Sequence, residues 1–336
     1  MNDTRRQILQ ALEQASGRLV SGGELAEKLG LSRTAVWKQI SALQQEGYHI
    51  RSESGKGYRL ERSEVFSSYE VEKRLETRVI GRPLIYLPTV DSTNIKLKQL
   101  AAEGAGHGTV IFSSHQTAGR GRLSRRFESP DGQGVYLSIL LRPDIPLSEL
   151  NTVTLMTAVV MLDTIEELTG VRPGIKWTND IYLNGRKLCG ILTECSVEGE
   201  SGRVEYAVVG IGLNLYQQRE DFPEEIRQIA GSVLSETGLR INRADYIACL
   251  LKHFEAYFVD GAFPANKAAI LEKYRAAIFF LGKRVQVCGF SESYPATAVD
   301  IDGEGRLVVE REDGSRTALN SGVISIRFAP DGEVEG

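Results

Sequence analysis

Residues 109–122 read Thr-Val-Ile-Phe-Ser-Ser-His-Gln-Thr-Ala-Gly-Arg-Gly-Arg. An apolar run over 109–113, the mark of a buried strand, passes into a loop in which two arginines alternate with glycines. Glycine permits positive φ and close backbone approach, and each guanidinium presents a planar fork of donors suited to phosphate or carboxylate. A strand that ends this way fits a mixed α/β or α+β body whose loop closes over an anionic ligand. The spacing matches neither the G-x-x-x-x-G-K-[S/T] phosphate loop nor the G-x-G-x-x-G dinucleotide turn.

Working outward, further strands are expected at 84–87, 135–141, 187–193 and 204–211, with helices near 93–103 and 147–168. Asp91-Ser-Thr-Asn94 reads as a turn that caps the following helix; its hydroxyls and amides also suit a small polar head group. Lys176-Trp-Thr-Asn-Asp180 follows a short strand, where the lysine either projects a compact charge into a cleft or packs on an aromatic ring. Asp180 receives no role. Lys187-Leu-Cys-Gly-Ile-Leu-Thr-Glu194 and Gly210-Ile-Gly-Leu-Asn214 read as core strands, whose glycines are explained first by plain packing and second by room for a ligand. Beyond helices near 243–258 and 264–276, short runs at 284–288, 296–301, 306–311, 315–319 and 322–328 suggest a small β-barrel.

The first sixty residues have a different character. Ile8, Leu9 and Leu12 form one helical stripe, Leu25, Ala26 and Leu29 a second that Gly30 ends, and Ser32 caps a third. In the third, Val36, Ile40 and Leu43 face a core and leave Arg33, Thr34, Trp37 and Lys38 outward. Tyr48–Arg51 and Tyr58–Leu60 flank a Gly-containing basic tip with Lys56, so the pattern predicts a winged helix-turn-helix that reads DNA. Arg33, Thr34, Trp37 and Lys38 would meet bases, with Arg51 and Lys56 on phosphates. A helix near 69–77 follows a short linker.

The chain has 336 residues, 42% hydrophobic and 25% charged, which suits about two or three globular domains and excludes a disordered chain. Residues 1–62 hold ten Lys/Arg against seven Asp/Glu, and the remainder thirty against thirty-seven, so a basic module precedes an acidic body. No apolar stretch approaches a bilayer span, and the start lacks a signal-peptide pattern, so no membrane contact and a cytoplasmic location are expected. The cysteines at 189, 195, 249 and 288 contain no C-x-x-C pair and are read as buried reduced thiols, without the spacing of zinc or thioredoxin sites.

Taken in order, Asp91-Ser-Thr-Asn94, Gln116–Arg122, Lys176–Asp180, Lys187–Leu192 and Gly210–Asn214 resemble the motif series of biotin protein ligases. With the winged helix, residues from about 5 to 327 resemble the bifunctional form, ligase and biotin-operon repressor in one polypeptide. The resemblance implies three parts: 1–62 for DNA binding, 63–278 for a biotin/lipoate-ligase-like catalytic domain, and 279–336 for an SH3-like barrel. It further implies adenylation of biotin by ATP with Mg²⁺, transfer to a lysine of a biotin carboxyl carrier domain, and a ligand-promoted homodimer on operator DNA.

Position by position, the resemblance assigns Ser92, Thr93, Asn94 and Gln116 to the biotin head and Arg120, Gly121 and Arg122 to the loop over biotin and adenylate. It assigns Lys176 to the meeting point of carboxylate and phosphate, with Arg120 and Arg122 as its catalytic companions; the metal ligands stay unassigned. Ser124, Phe127 and Thr178 depart from the family's usual glycine, tryptophan and proline. The alternatives are a non-catalytic biotin-sensing DNA-binding regulator and a lipoyl ligase.

Overall fold

The computed structural model describes residues 3–199, 201–288, 293–320 and 325–328. The chain divides into two compact units, Met1–Arg74 and Leu75–Gly336. Residues 63–74 thus group with the first unit, beyond the boundary at 62 expected from sequence. The reason is packing: Tyr69 is buried in that unit's core, and Lys73 reaches Glu13 at 2.7 Å.

The first unit runs α1 (Asp3–Gln14), α2 (Gly22–Leu29), α3 (Arg33–Gln45), β1 (Ile50–Glu53), β2 (Gly57–Leu60) and α4 (Ser68–Glu72). Local chemistry sets the helix ends. Ser21 and Ser32 accept from the backbone N–H of Glu24 and Ala35, and Gly30 closes α2 at φ 65°. Ile8, Leu9, Leu12, Leu25, Val36, Ile40 and Leu43 form the core as the periodicity predicts. The antiparallel β1–β2 hairpin gains a third chain segment where Val20 exchanges backbone hydrogen bonds with Tyr58. Gly57, at φ 128°, allows that approach, since a Cβ there would stand 2.1 Å from the Val20 carbonyl oxygen. The helix expected at 69–77 is shorter, with Lys73 capping it.

The second unit is built on a seven-stranded sheet ordered β3-β4-β5-β9-β8-β7-β6. Its strands are β3 (Leu84–Val90), β4 (Val110–Gln116), β5 (Gly134–Leu141), β6 (Gly174–Lys176), β7 (Asp180–Leu183), β8 (Arg186–Val197) and β9 (Val204–Asn214). Only β3 and β4 pair in parallel among them, joined by α5 (Thr93–Ala102). Pro88 is tolerated in β3 because that strand lies at the sheet edge. Every residue of β5 is buried, as its near-continuous apolar sequence requires. The long apolar α6 (Leu150–Thr169) packs on β7 and β8, ending at Gly170 with φ 71°. The short α7 (Val233–Thr237) follows β9, and α8 (Arg243–Glu255) and α9 (Lys267–Ala277) pack on α6.

A second, five-stranded antiparallel sheet contains β10 (Arg284–Cys288), β11 (Ser293–Ile301), β12 (Leu307–Glu310), β13 (Arg316–Leu319) and β14 (Ser325–Phe328), ordered β13-β12-β11-β10-β14. The last run, expected at 322–328, falls partly outside the described residues. Trp177 Nε1 donates to the Gly305 carbonyl at 3.1 Å, which ties this sheet to the turn after β6. Gly305 has φ 76° and sits against Leu155 and Asn151 of α6. Among the described residues no helix is long and apolar enough to cross a membrane.

Candidate functional site

The turn before α5 brings its polar groups inward. Ser92 stands at the N-cap of α5, yet its hydroxyl makes no cap hydrogen bond, so capping does not account for it. Ser92, Thr93 and Asn94 are each at most 4% exposed. Gln116, at the end of β4, accepts with Oε1 from the Thr93 backbone N–H (2.9 Å) and hydroxyl (3.1 Å), and donates with Nε2 to Ser129 Oγ (3.0 Å). The Ser138 hydroxyl lies 2.8 Å from Thr93 Oγ1 and 2.6 Å from Asn94 Oδ1, sharing its one proton between them. Asn94 Nδ2 then donates to Glu194 Oε2 at 2.8 Å and to the Leu192 carbonyl at 3.2 Å. Burial pushes the Glu194 carboxyl up, but hydrogen bonds from Lys98 and Asn94 outweigh it and hold the group below its ordinary value.

Sequence reading missed Ser138, Ser129 and Glu194 as members of this network. A lone serine in the apolar run of β5 has no local signature. The glycines of β9 are explained beyond plain packing: a Cβ on Gly210 would lie 2.3 Å from Asn94 Oδ1, and one on Gly212 would lie 2.5 Å from the Phe127 ring.

The Gly-Arg segment folds back on itself. Gly121 N–H donates to the Arg125 carbonyl at 2.7 Å, and Phe127 N–H to the Gly119 carbonyl at 3.0 Å. Leu123 adopts φ 54°, and Gly119 is required because a Cβ would stand 2.4 Å from the Phe127 carbonyl oxygen. Phe127 lies edge-on to Tyr136 and over Gly190 and Gly212. The side chain of Ser124 lies outside the described ones.

Arg122 is drawn toward the β6–β7 turn, donating to Thr178 Oγ1 (3.0 Å) and Asn179 Oδ1 (2.9 Å). Burial lowers its pKa from the ordinary arginine value, opposed by the nearby Asp180; the group stays protonated. Asn179 is itself fixed by a 2.8 Å bond to the Ile191 carbonyl, and Tyr274 of α9 donates to the Thr178 carbonyl at 2.7 Å. Lys176 projects from the end of β6 with Nζ 5.5 Å from the Tyr182 ring centroid. Lys187 Nζ is 2.7 Å from Asp180 Oδ1.

These groups line one cavity of about 680 Å³, within the range of small-molecule sites. Ser92, Thr93, Asn94, Gln116, Arg120, Gly121, Arg122 and Lys176 all contribute to its wall, as do Phe127, Asp180 and Lys187. Residues as far apart in sequence as Ser92 and Ala230 therefore meet at one place. Neutral donors and acceptors form one network there, and arginine and lysine supply positive charge, an arrangement suited to a ligand with a polar head and an anionic end.

In the first unit, Arg33, Thr34, Trp37 and Lys38 are exposed on α3, Trp37 to 57%. Arg33 lies against Gly23 at the start of α2. Lys56, exposed at the hairpin tip, and Arg51 both pair with Glu53, at 3.3 and 3.7 Å.

Family comparisons match residues 4–59 to an HTH domain, 86–214 to the biotin/lipoate A/B protein ligase family and 280–327 to the biotin protein ligase C-terminal domain. The bifunctional ligase/repressor BirA of Bacillus subtilis is 37% identical over 324 residues, covering 95% of this chain and 98% of the relative. Its Escherichia coli counterpart is 30% identical over 316 residues, covering 94% and 95%. Among solved structures, the biotin protein ligase of Aquifex aeolicus in complex with biotin and ATP aligns with TM-score 0.61 and 30% identity, over 73% of this chain and 99% of that one.

Proposed function

The chain belongs to the bifunctional biotin protein ligase/repressor family, and from that premise we propose how its residues divide the work. The protein is an ATP-dependent biotin–[acetyl-CoA-carboxylase] ligase and a DNA-binding repressor. It joins the biotin carboxylate to the α-phosphate of ATP, releasing pyrophosphate, and the acceptor lysine of a biotin carboxyl carrier domain then takes the biotinyl group and releases AMP. The observation that supports this reading is the shared cavity, where the Thr93–Asn94–Gln116 hydrogen-bonding network meets a wall of arginines and lysines that includes Arg120, Arg122 and Lys176.

Ser92, Thr93, Asn94 and Gln116 hold the biotin head, and the Ser138 and Glu194 bonds fix the orientation of Thr93 and Asn94. Bringing a carboxylate to a phosphate sets two anions together, so Lys176, Arg120 and Arg122 neutralise charge that concentrates in the transition state. Arg122 is held in place for this by Thr178 and Asn179. Loop 116–127 excludes water from the biotinyl adenylate, a mixed anhydride, until the acceptor arrives. Mg²⁺ accompanies ATP and supplies further neutralisation of its phosphates. The buried Asp180 Oδ1 has an ion-pair partner but no hydrogen bond, a donor type that fits a hard cation held mainly by phosphate and water.

Residues 1–62, extended by the segment to Arg74 that packs with them, read the operator through α3 and the hairpin. Residues 63–278 and 279–336 are the catalytic domain and its C-terminal sheet. The adenylate favours a homodimer that presents two such modules to a palindromic site, all in the cytoplasm.

Biotin-dependent pyrophosphate–ATP exchange tests the reading, with lipoate as control acid and Lys176→Ala as control variant. Exchange with biotin alone, lost in the variant, is expected. No exchange with any acid, together with intact operator binding, would replace the ligase by a non-catalytic sensor; exchange with lipoate would make it a lipoyl ligase.

A further inference from the structure

Cys249 and His253 are one helical turn apart on α8, so both side chains leave the same face. Glu167 of α6 faces them. One ligand atom from each, sulfur, imidazole nitrogen and carboxylate oxygen, lies within 4.8 Å of the others, the one such trio among the described residues. Glu167 Oε2 is 2.8 Å from His253 Nε2, while Oε1 accepts from Lys252 at 3.1 Å. None of these residues lines the ligase cavity.

We propose that Glu167, Cys249 and His253 form a binding site for a thiophilic divalent cation of the zinc class, clipping α8 to α6.

The donor set is the first argument. Thiolate, imidazole and carboxylate together suit zinc, whereas magnesium and calcium take oxygen ligands. Geometry is the second. Tetrahedral zinc at ordinary bond lengths holds its ligand atoms about 3.3 to 3.7 Å apart. The 2.8 Å contact to His253 must open by roughly half an ångström, and no separation needs to close by more than about one, both within side-chain rotation. Charge is the third: a divalent cation with one thiolate, one carboxylate and a neutral imidazole is balanced. Lys252 keeps Oε1 and so orients the carboxylate, leaving Oε2 to the ion, as outer partners of metal ligands commonly do.

The apo thiol is neutral. Burial first, and then the facing Glu167, push its pKa up to about 12, with Glu76 adding to the rise and Lys252 opposing it. Binding therefore releases the thiol proton to solvent. Three protein ligands leave a fourth position for water. The Cys-x-x-x-His spacing within α8 supplies a thiol and an imidazole on one helix face without any C-x-x-C pair.

The test is a Co²⁺ titration of the tag-free, phosphine-reduced full chain, followed by Zn²⁺ displacement. One equivalent is expected to give a thiolate-to-cobalt charge-transfer band with intense tetrahedral visible bands, which Zn²⁺ abolishes. Cys249→Ala removes the band, His253→Gln weakens binding by at least about tenfold, and the Cys195→Ser, Cys288→Ser double variant retains it. Zn²⁺ raises the Tm of the wild type but not of Cys249→Ala. No saturable band in the wild type, or a band that survives Cys249→Ala, would overturn the site. If Cys249→Ala fails to fold, His253→Gln and Glu167→Gln decide: unchanged Co²⁺ affinity in both overturns it equally.

Discussion

Gly210→Ala tests whether the buried network around Asn94 builds the head-group pocket. The added methyl would stand 2.3 Å from Asn94 Oδ1 and 2.8 Å from its Cγ, whereas ordinary contact needs roughly 3.4 Å. The β9 backbone at Gly210 is paired on both sides, with Ser138 of β5 and Leu192 of β8, so Asn94 must withdraw by about 1 Å. Such a shift strains or breaks its contacts with Ser138, Glu194 and the Leu192 carbonyl. Losing one or two of them costs about 1 to 3 kcal/mol, and residual overpacking adds about 1 to 3 kcal/mol. Urea denaturation should show a stability loss of about 2 to 6 kcal/mol. Calorimetric titration should show biotin bound at least about tenfold more weakly, since about 1.4 kcal/mol of pocket geometry is lost. Gly106→Ala is the control, because nothing lies within 4 Å of its Cβ position. Wild-type biotin affinity in a folded Gly210→Ala protein would remove Asn94 from the ligand site.

Trp37→Ala should leave stability within about 0.5 kcal/mol, because the ring is 57% exposed, while operator affinity in a fluorescence-anisotropy titration falls severalfold; equal affinity would take α3 out of the interface. Lys56→Ala should lower the slope of log affinity against log salt by about one, and an unchanged slope would mean that it touches no phosphate. Glu255 accepts the backbone N–H groups of Arg78, Val79 and Ile80 at 2.7 to 2.9 Å while 4% exposed. Burial raises its pKa, but those bonds outweigh burial and leave the folded value below the ordinary one. Its stabilisation is therefore full above the ordinary glutamate range and lost as pH falls through the folded value. Glu255→Gln should cost about 2 to 3 kcal/mol at neutral pH, with the gap to wild type narrowing under acid; a gap independent of pH would contradict the charge-assisted account.

What the sequence made legible was local. Ser32, Gly30 and the Val36, Ile40, Leu43 stripe placed α3 closely, because caps and helical periodicity act within a few residues. The strand ends were harder. β7 received no strand expectation, since four residues after Asn179 carry little periodicity and the strand exists through pairing with β8. β3 runs on to Val90 past Pro88 because its free edge accepts a residue without an N–H. The eight residues expected at the ligand site were named through motif resemblance, not spacing, and Ser138 was missed because its partners are over forty residues away in sequence. The cysteine reading needs division: Cys189 and Cys249 are buried, whereas Cys195 and Cys288 are half-buried.

The loop and the strands beneath it act as one device. Phe127 occupies the position where a tryptophan is usual in the family, and its ring needs the absence of a side chain at Gly212, whereas a Cβ at Gly190 would stand in ordinary contact at 3.5 Å. Gly212 in the floor thus specifies where the ring rests, and the hydrogen bonds Gly121–Arg125 and Gly119–Phe127 fix the loop's own shape. Arg122, inside that loop, is tied to the β6–β7 turn, which Tyr274 and the Trp177–Gly305 bond support from α9 and the second sheet. On the proposed function, a ligand arm along β8 and β9 would share its surface with the Phe127 ring, so occupying the floor and ordering the loop would be coupled by contact. On the same reading, the arginines assigned to phosphate would be positioned by the same packing that receives the apolar part of the ligand, which would link biotin binding to readiness for the nucleotide.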